Sequence, residues 1–298
     1  MSTTTGTTAT GTTTTGTRTT YSVGADEPAR TTGRIDAILA SFPVSLAPAH
    51  PPEDADLVAL DGGEDWPKRL ATTRARGAVV VCPTVSSTVV PTSAGQGADP
   101  GFPVVIDRPH AGRPGLADLR SAVQATGADA LLEVRTTAAP GNDAADLVLE
   151  QFAVARAVTG SGVAAARVLS HGPRGLLVRA VLHDGRQALF GADLTTALAP
   201  LVTVRILGAT SSVSVAIPDS ATARPAHAVV TDDSGARLLP TSWESSHRAS
   251  WRRLHAAVAD GTATTDLADH AQDCAVLVEA IPELLPPTSS PNEPGAQR

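Results

Sequence analysis

The chemistry open to this chain rests on few side chains, and the first of them is Arg108. It follows Val104-Val105-Ile106, an all-apolar run of the kind that forms a strand covered on both faces, and it sits in Asp107-Arg108-Pro109, where that strand must end. Pro114 is placed as a first helical residue, and Leu116, Leu119 and Val123 recur at helical spacing until Gly127 supplies a stop. Ala130 to Val134 reads as a second buried strand. A strand, helix and strand of this length predict a right-handed parallel crossover, on which ligands bind beyond the carboxyl ends of the strands. Asp107, Arg108 and Pro109 therefore fall at the expected site. Arginine keeps its proton throughout the physiological range, so Arg108 can hold a hydroxyl or a carboxylate and cannot shuttle a proton. Lys68 is the only lysine, and a lysine-dependent acid-base step runs through it or not at all.

Carboxylates, thiols and imidazoles supply the remaining candidates. A dinucleotide fold carries G-x-G-x-x-G at its first strand-to-helix turn, so that backbone amides approach a pyrophosphate at the helix N-terminus. This chain has Gly24-Ala25-Asp26-Glu27-Pro28 there: one glycine of three remains, and two carboxylates stand where phosphate charge would sit. Asp26 and Glu27 read equally as charges that favour a helix start. The second strand ends in Ala47-Pro48-Ala49, without the acidic residue that anchors a ribose. Cys82 and Cys274 are too few for a disulfide framework, lack metal-ligand spacing, and are expected as small core residues. His247, His255 and His270 show no ligand-like spacing and are expected to be exposed or capping. No metal site is expected. Asp232-Asp233 belongs to a turn, Thr231 to Gly235.

These side chains need elements to position them. Tyr21 to Val23, Pro43 to Ala47, Asp56 to Leu60 and Ala78 to Cys82 read as strands. Glu27 to Phe42 and a stretch opened by Trp66-Pro67 read as helices. After Pro140 the pattern changes. Asp143 to Thr159 is helical, and strands follow over 163–169, 176–183 and 187–192, with His183-Asp184-Gly185-Arg186 as a hairpin turn. Val202, Val204 and Ile206, then Val213, Val215 and Ile217, alternate with polar residues, which predicts an antiparallel sheet with one wet face. Thr241 with Glu244 predicts a capping box for a helix stopped at Gly261, and a second helix carries Leu267 to Ile281.

The fold class expected is α/β: a Rossmann-like parallel-sheet domain followed by an α+β domain with an open, mostly antiparallel sheet. The boundaries expected are a Thr-rich disordered tail over 1–20, a degenerate nucleotide-binding domain over 21–140, the α+β domain with its terminal helix pair over 141–283, and a disordered Pro-rich tail over 284–298. A formal net charge of −7 without a basic cluster argues against nucleic acid. No apolar run is long enough to span a bilayer, and the first twenty residues lack a signal-peptide core, so a cytoplasmic protein is expected.

Several stretches resemble the Gfo/Idh/MocA family of NAD(P)-dependent sugar and cyclitol oxidoreductases: VVIDRP with the helix and LLEVRTTAAP after it, DLVAL, ADLVLEQFAVARAVTG, VTVRILGATSSVSVAIP, and the terminal run from WRRLHAAVADG to Ile281. The resemblance implies NAD or NADP as cofactor and a sugar-like secondary alcohol as substrate. It implies a cofactor-lining role for Gly24, Asp61, Gly62, Gly63 and Pro109; Gly62 and Gly63 read equally as a flexible turn. The family's Glu-Lys-Pro stands here as Asp-Arg-Pro, which puts Arg108 in the place of the catalytic lysine. Asp146 matches the family aspartate, and Glu150 stands where the catalytic histidine would be. An ion pair of Arg108 with Asp146 or Glu150 would account for all three residues without catalysis, and an exposed helical Glu is the plain alternative for Glu150. The second functional expectation is therefore a non-catalytic homologue, acting as a ligand sensor or as a partner subunit that pairs with itself or an active relative through the open sheet.

Overall fold

A computed structural model describes residues 19–63, 65–88, 100–220, 222 and 224–281. The expected tails lie outside the described residues except for Thr19 and Thr20, as does most of the polar stretch from Thr84 to Gly101. The helices are α1 (Glu27–Thr32), α2 (Ile35–Ser41), α3 (Trp66–Thr72), α4 (Val85–Thr88), α5 (Arg120–Ala125), α6 (Ala144–Thr159), α7 (Ser246–Asp260) and α8 (Asp266–Ala280).

Short apolar runs build the first sheet. Strands β1 (Tyr21–Ala25), β2 (Leu46–Pro48), β3 (Leu57–Asp61), β4 (Gly77–Val81) and β5 (Val104–Asp107) lie in the order β2-β1-β3-β4-β5, all parallel. Every residue of β4 and β5 is buried, because helices cover both faces. Val79 and Val105 meet Ile35, Ile38, Trp251 and Leu254 on one face. On the other, Val80, Val104 and Ile106 meet Trp66 and Leu70, with Leu267 packed against them. The single helix expected over 27–42 is broken at Gly33-Arg34, where Arg34 adopts φ 52°. A Cβ at Gly33 would lie 2.8 Å from the Ala29 carbonyl oxygen and 3.0 Å from Val81 Cγ2, so only glycine lets the chain turn against β4 there.

The second sheet holds β6 (Leu131–Ala138), β7 (Val163–Gly172), β8 (Gly175–Leu182), β9 (Gln187–Leu194), β10 (Leu201–Leu207), β11 (Ser212–Pro218), β12 (His227–Asp232) and β13 (Gly235–Leu238). Their order is β13-β12-β11-β10-β6-β9-β8-β7, antiparallel throughout except for the parallel pair β6 and β9. This corrects the expected crossover: the strand after Gly127 is no neighbour of β5 but the centre of the other sheet. The reason lies in its own residues. Leu132, Val134, Thr136 and Ala138 are buried while Glu133 and Arg135 face water, and two such charges cannot sit in a sheet covered on both sides. The helix between them is also less regular than expected, a 3₁₀ turn at Ala117–Leu119 running into α5.

Helix α6 packs its apolar length on the covered face of this sheet, with Phe152 edge-on to Phe190 at 4.8 Å. Asp143 caps its start and Gly160, at φ 79°, ends it. The opposite face carries Arg135 bonded to Asp193 at 3.0 Å and Arg205 3.6 Å from Glu133.

The terminal helices tie the sheets together. Helix α7 is capped by Ser245, whose hydroxyl accepts from Arg248 N–H, and not by the expected Thr241; Glu244 instead pairs with Arg248 and Arg252. The turn into α8 closes the outer edge of β5: Thr264 Oγ1 accepts from Val104 N–H at 3.1 Å, and Asp266 Oδ2 accepts from Ile106 N–H at 3.0 Å.

Candidate functional site

The structure brings Arg108 and Glu150 together where β5 ends against α6, beside a cleft that Arg108 borders, with Asp146 one turn earlier on α6. Arg108 is buried, with Nη1 3.4 Å from Glu150 Oε2 and Nη2 2.7 Å from His270 Nδ1. A guanidinium only donates, so His270 Nδ1 accepts and its ring proton sits on Nε2. Burial, followed by the Arg108 charge, pushes His270 down to about 3, and the ring is neutral at working pH. Glu150 Oε1 accepts from the backbone N–H groups of His110 (2.8 Å) and Ala111 (2.9 Å). Burial alone would raise its pKa, but hydrogen bonding from His110 and the charge of Arg108 outweigh it and hold the carboxyl at about 2. Glu150 is thus a buried, permanently ionised acceptor, which corrects the exposed alternative. A carboxylate held so far below neutrality is a poor general base.

Asp146, one turn earlier, accepts from Val85 N–H at 2.7 Å and so ties α4 to α6. Burial raises its pKa, against the pull of that hydrogen bond. Asp107, fully buried at the end of β5, accepts from Ser250 Oγ (2.9 Å) and lies 2.6 Å from His247 Nδ1. His247 and His270 were expected at the surface and are instead buried polar joints between α7, α8 and β5. Helical spacing does not distinguish the two positions; only the packing of the terminal helices onto the parallel sheet puts them inside. Cys274 is buried, with Sγ 3.7 Å from His270 Nδ1, and burial pushes the Cys82 thiol up, so neither is poised as a nucleophile. Lys68 lies on the surface, paired with Asp65 at 2.8 Å, and takes no part in the cleft.

In a sheet of this order the crevice for a nucleotide opens between β1 and β3. Here Asp26 stands beside it, capping the start of α1. Its Oδ1 accepts from Ala29 N–H at 2.7 Å, and its Oδ2 accepts from Asp61 N–H at 3.2 Å and pairs with Arg69, which also donates to the Asp61 carbonyl at 2.8 Å. Helix α1 has six residues, and Pro28 supplies no N–H, so Asp26 takes one of the few amides that could have met a phosphate. Gly24 lies within β1, paired with Val58, rather than at the turn. Gly62 donates to the Val81 carbonyl at 2.8 Å, and a Cβ on it would come within 2.3 Å of Pro83 N; its small size serves close chain packing. Gly63 donates to Asp61 Oδ2 at 3.0 Å. Pro109 sits in the turn closed by Gly112 N–H on the Arg108 carbonyl, beside the ion pair. These residues do not fit a dinucleotide: the helix start that would meet a pyrophosphate already holds a carboxylate with its own partners.

Two cavities open around this core. The larger, about 400 Å³, borders Arg108, Arg156, Arg253, Asp266 and Asp273. Its charges are mostly matched: Arg156 pairs with Asp269 and Asp273, and Arg253 with Asp266. Burial lifts Asp273 to about 6 against the pull of Arg156. The smaller, about 300 Å³, is lined by Arg34, Arg113, Arg224, Ser220, Ser245 and Trp243 among others. Of the residues expected at a site, only Arg108 borders either cavity.

A five-stranded parallel sheet joined to an eight-stranded mixed sheet with one bare face is the architecture of two-domain dehydrogenase-type oxidoreductases. More narrowly, the chain has the fold of Gfo/Idh/MocA-type oxidoreductases, to which many of its structural neighbours belong. An oxidoreductase domain protein from Kribbella flavida is 16% identical, with a TM-score of 0.59 over 88% of this chain and 87% of that one. A UDP-N-acetylglucosamine 3-dehydrogenase from Acidithiobacillus ferrooxidans is 14% identical, with a TM-score of 0.60 over 88% and 97%. An aldose-aldose oxidoreductase from Caulobacter crescentus, complexed with glycerol, is 11% identical, with a TM-score of 0.61 over 90% and 98%. At these identities the likeness is one of fold. No protein-family model matches the sequence, and no curated protein matches it.

Proposed function

We propose that this chain is a non-catalytic protein of the oxidoreductase fold, which binds a small sugar-like molecule in its cleft as a ligand sensor or as a partner subunit. The observation that supports this reading is Asp26, whose carboxylate stands at the helix start beside the β1 to β3 crevice and is held there by Ala29, Asp61 and Arg69. An anionic cofactor would have to displace that carboxylate or sit beside it, unscreened. The second half of the chemistry points the same way. Arg108 cannot release a proton, and Glu150 is locked as its counter-ion. The neighbours that act on a UDP-sugar and on aldoses support a polyol-sized ligand. The bare face of the second sheet is the surface we assign to pairing with a second copy or an active relative, and a cytoplasmic setting fits the reading. Among the described residues no helix is long and apolar enough to cross a membrane.

The test is titration with NADH and NADPH, followed by thermal melting and by quenching of the tryptophans. No change at millimolar cofactor is expected; saturable binding at micromolar concentration would overturn the reading in favour of an NAD(P)-dependent oxidoreductase. Exchange of Asp26 for Gly together with Arg108 for Lys, assayed against a polyol panel, shows whether the scaffold can be returned to hydride transfer.

A further inference from the structure

Arg113 is more than nine-tenths buried, and among the described residues it is the one buried arginine with no carboxylate within ion-pair distance. Among the described residues its Nε has no hydrogen-bond partner, and its Nη2 donates one long hydrogen bond, to the Pro218 carbonyl at 3.5 Å. A buried charge left this way is costly unless something completes it. Arg113 borders both cavities; in the one of about 300 Å³ Arg34 and Arg224 also form the wall, and among the described residues no acidic side chain does. Neither of those arginines has an ion pair among the described residues, in contrast to Arg156 and Arg253 of the larger cavity. Asp219 lies near enough to favour the charged form of Arg113, while desolvation opposes it. Trp243 stands at the rim, 75% exposed.

We infer that this cavity binds the carboxylate or phosphate of a small organic anion, with Arg113 buried inside it, Arg34 and Arg224 at its rim, and Trp243 beside the rest of the molecule. This cavity does not include Arg108, Asp146 or Glu150, so the inference goes beyond the reading of the cleft and stands separately from it. Planar guanidinium groups bind both oxyanions by paired hydrogen bonds, and an exposed indole offers a flat apolar surface to a sugar ring. The volume lies at the lower end of the range for small-molecule sites, about 300–1,000 Å³.

The full chain at low salt is titrated with inorganic phosphate, glucose 6-phosphate, glucuronate and glucose, read by tryptophan fluorescence and by the thermal midpoint. Saturable binding of a charged probe is expected, with none for glucose; the glucuronate and glucose 6-phosphate arms decide between carboxylate and phosphate. Arg34→Ala and Arg224→Ala, both at exposed positions, should each weaken binding at least about tenfold. Arg113→Met should abolish it without lowering the midpoint of the free protein, because it removes an uncompensated charge. Trp243→Phe should remove the fluorescence change and keep the midpoint shift. Failure of all three anions to bind, or binding unchanged in the Arg34 and Arg224 variants, overturns the inference. Absence of anion binding alongside absence of NADH binding overturns this site alone, whereas NADH binding overturns the non-catalytic reading and leaves the anion titration to decide the site.

Discussion

Glu150 shows how a buried carboxylate can be held as a structural acceptor. Its carboxyl is held at about 2 in the fold against an ordinary 4.5, so the folded state binds fewer protons than the unfolded one as the pH falls between these values. The stabilisation is complete above about 4.5 and is lost as the pH drops through the window toward 2. A shift of this size corresponds to about 3 kcal/mol. Glu150→Gln should accordingly be destabilised by roughly 2–4 kcal/mol at pH 7, because Arg108 is left buried without its counter-ion. The gap to the parent should narrow as the pH is lowered toward 2. Urea melts of both proteins across that range check it; a constant gap would mean that the carboxyl is not depressed in the fold. Part of this was legible beforehand. The ion pair of Arg108 with an acid of the later helix was among the readings of the sequence, but which of Asp146 and Glu150 takes it depends on the backbone amides of His110 and Ala111, which only a folded turn can aim.

At the scale of elements, the turn from α7 to α8 stands in for a further strand along β5. Thr264 satisfies both the N–H and the carbonyl of Val104, and Asp266 the N–H of Ile106, so the sheet edge is closed by side chains. Thr264→Val keeps the shape and removes both bonds to Val104. It should cost about 1–3 kcal/mol, and amide exchange at Val104 should speed up well before the rest of β5 opens. Exchange at Val104 that tracks global unfolding in both proteins would show that the edge is closed by something else. The alternating strands β10 and β11 and the stop at Gly261 were readable from periodicity and turn chemistry. The placement of β6 was not, because LLEV reads as a buried run until Glu133 and Arg135 are weighed as charges that need water.

For the molecule as a whole, the open face of the second sheet sets the expected behaviour in solution. It mixes arginines and carboxylates with the partly exposed Leu131 and Leu207, a surface on which a second copy can be matched in charge as well as shape. Light scattering of the purified chain should give at least twice the 30.2 kDa of one copy. Replacing Arg135 and Arg205 by Glu should shift it toward one copy; a parent protein of single mass would remove pairing through this face.

What the sequence determined by itself was the set of elements and the side chains on offer: short apolar strands, an alternating second half, a first turn with one glycine, and arginine and glutamate where the resemblance would place a lysine and a histidine. These follow from local propensity and from residue identity, which no packing can alter. What the tertiary structure decided was the company those residues keep. Asp26 became tied to Ala29, Asp61 and Arg69, His247 and His270 became buried joints, and Arg113 was left without an ion pair among the described residues beside two cavities, because burial and electrostatic pairing are set by contacts between segments far apart along the chain, and periodicity reports only near neighbours.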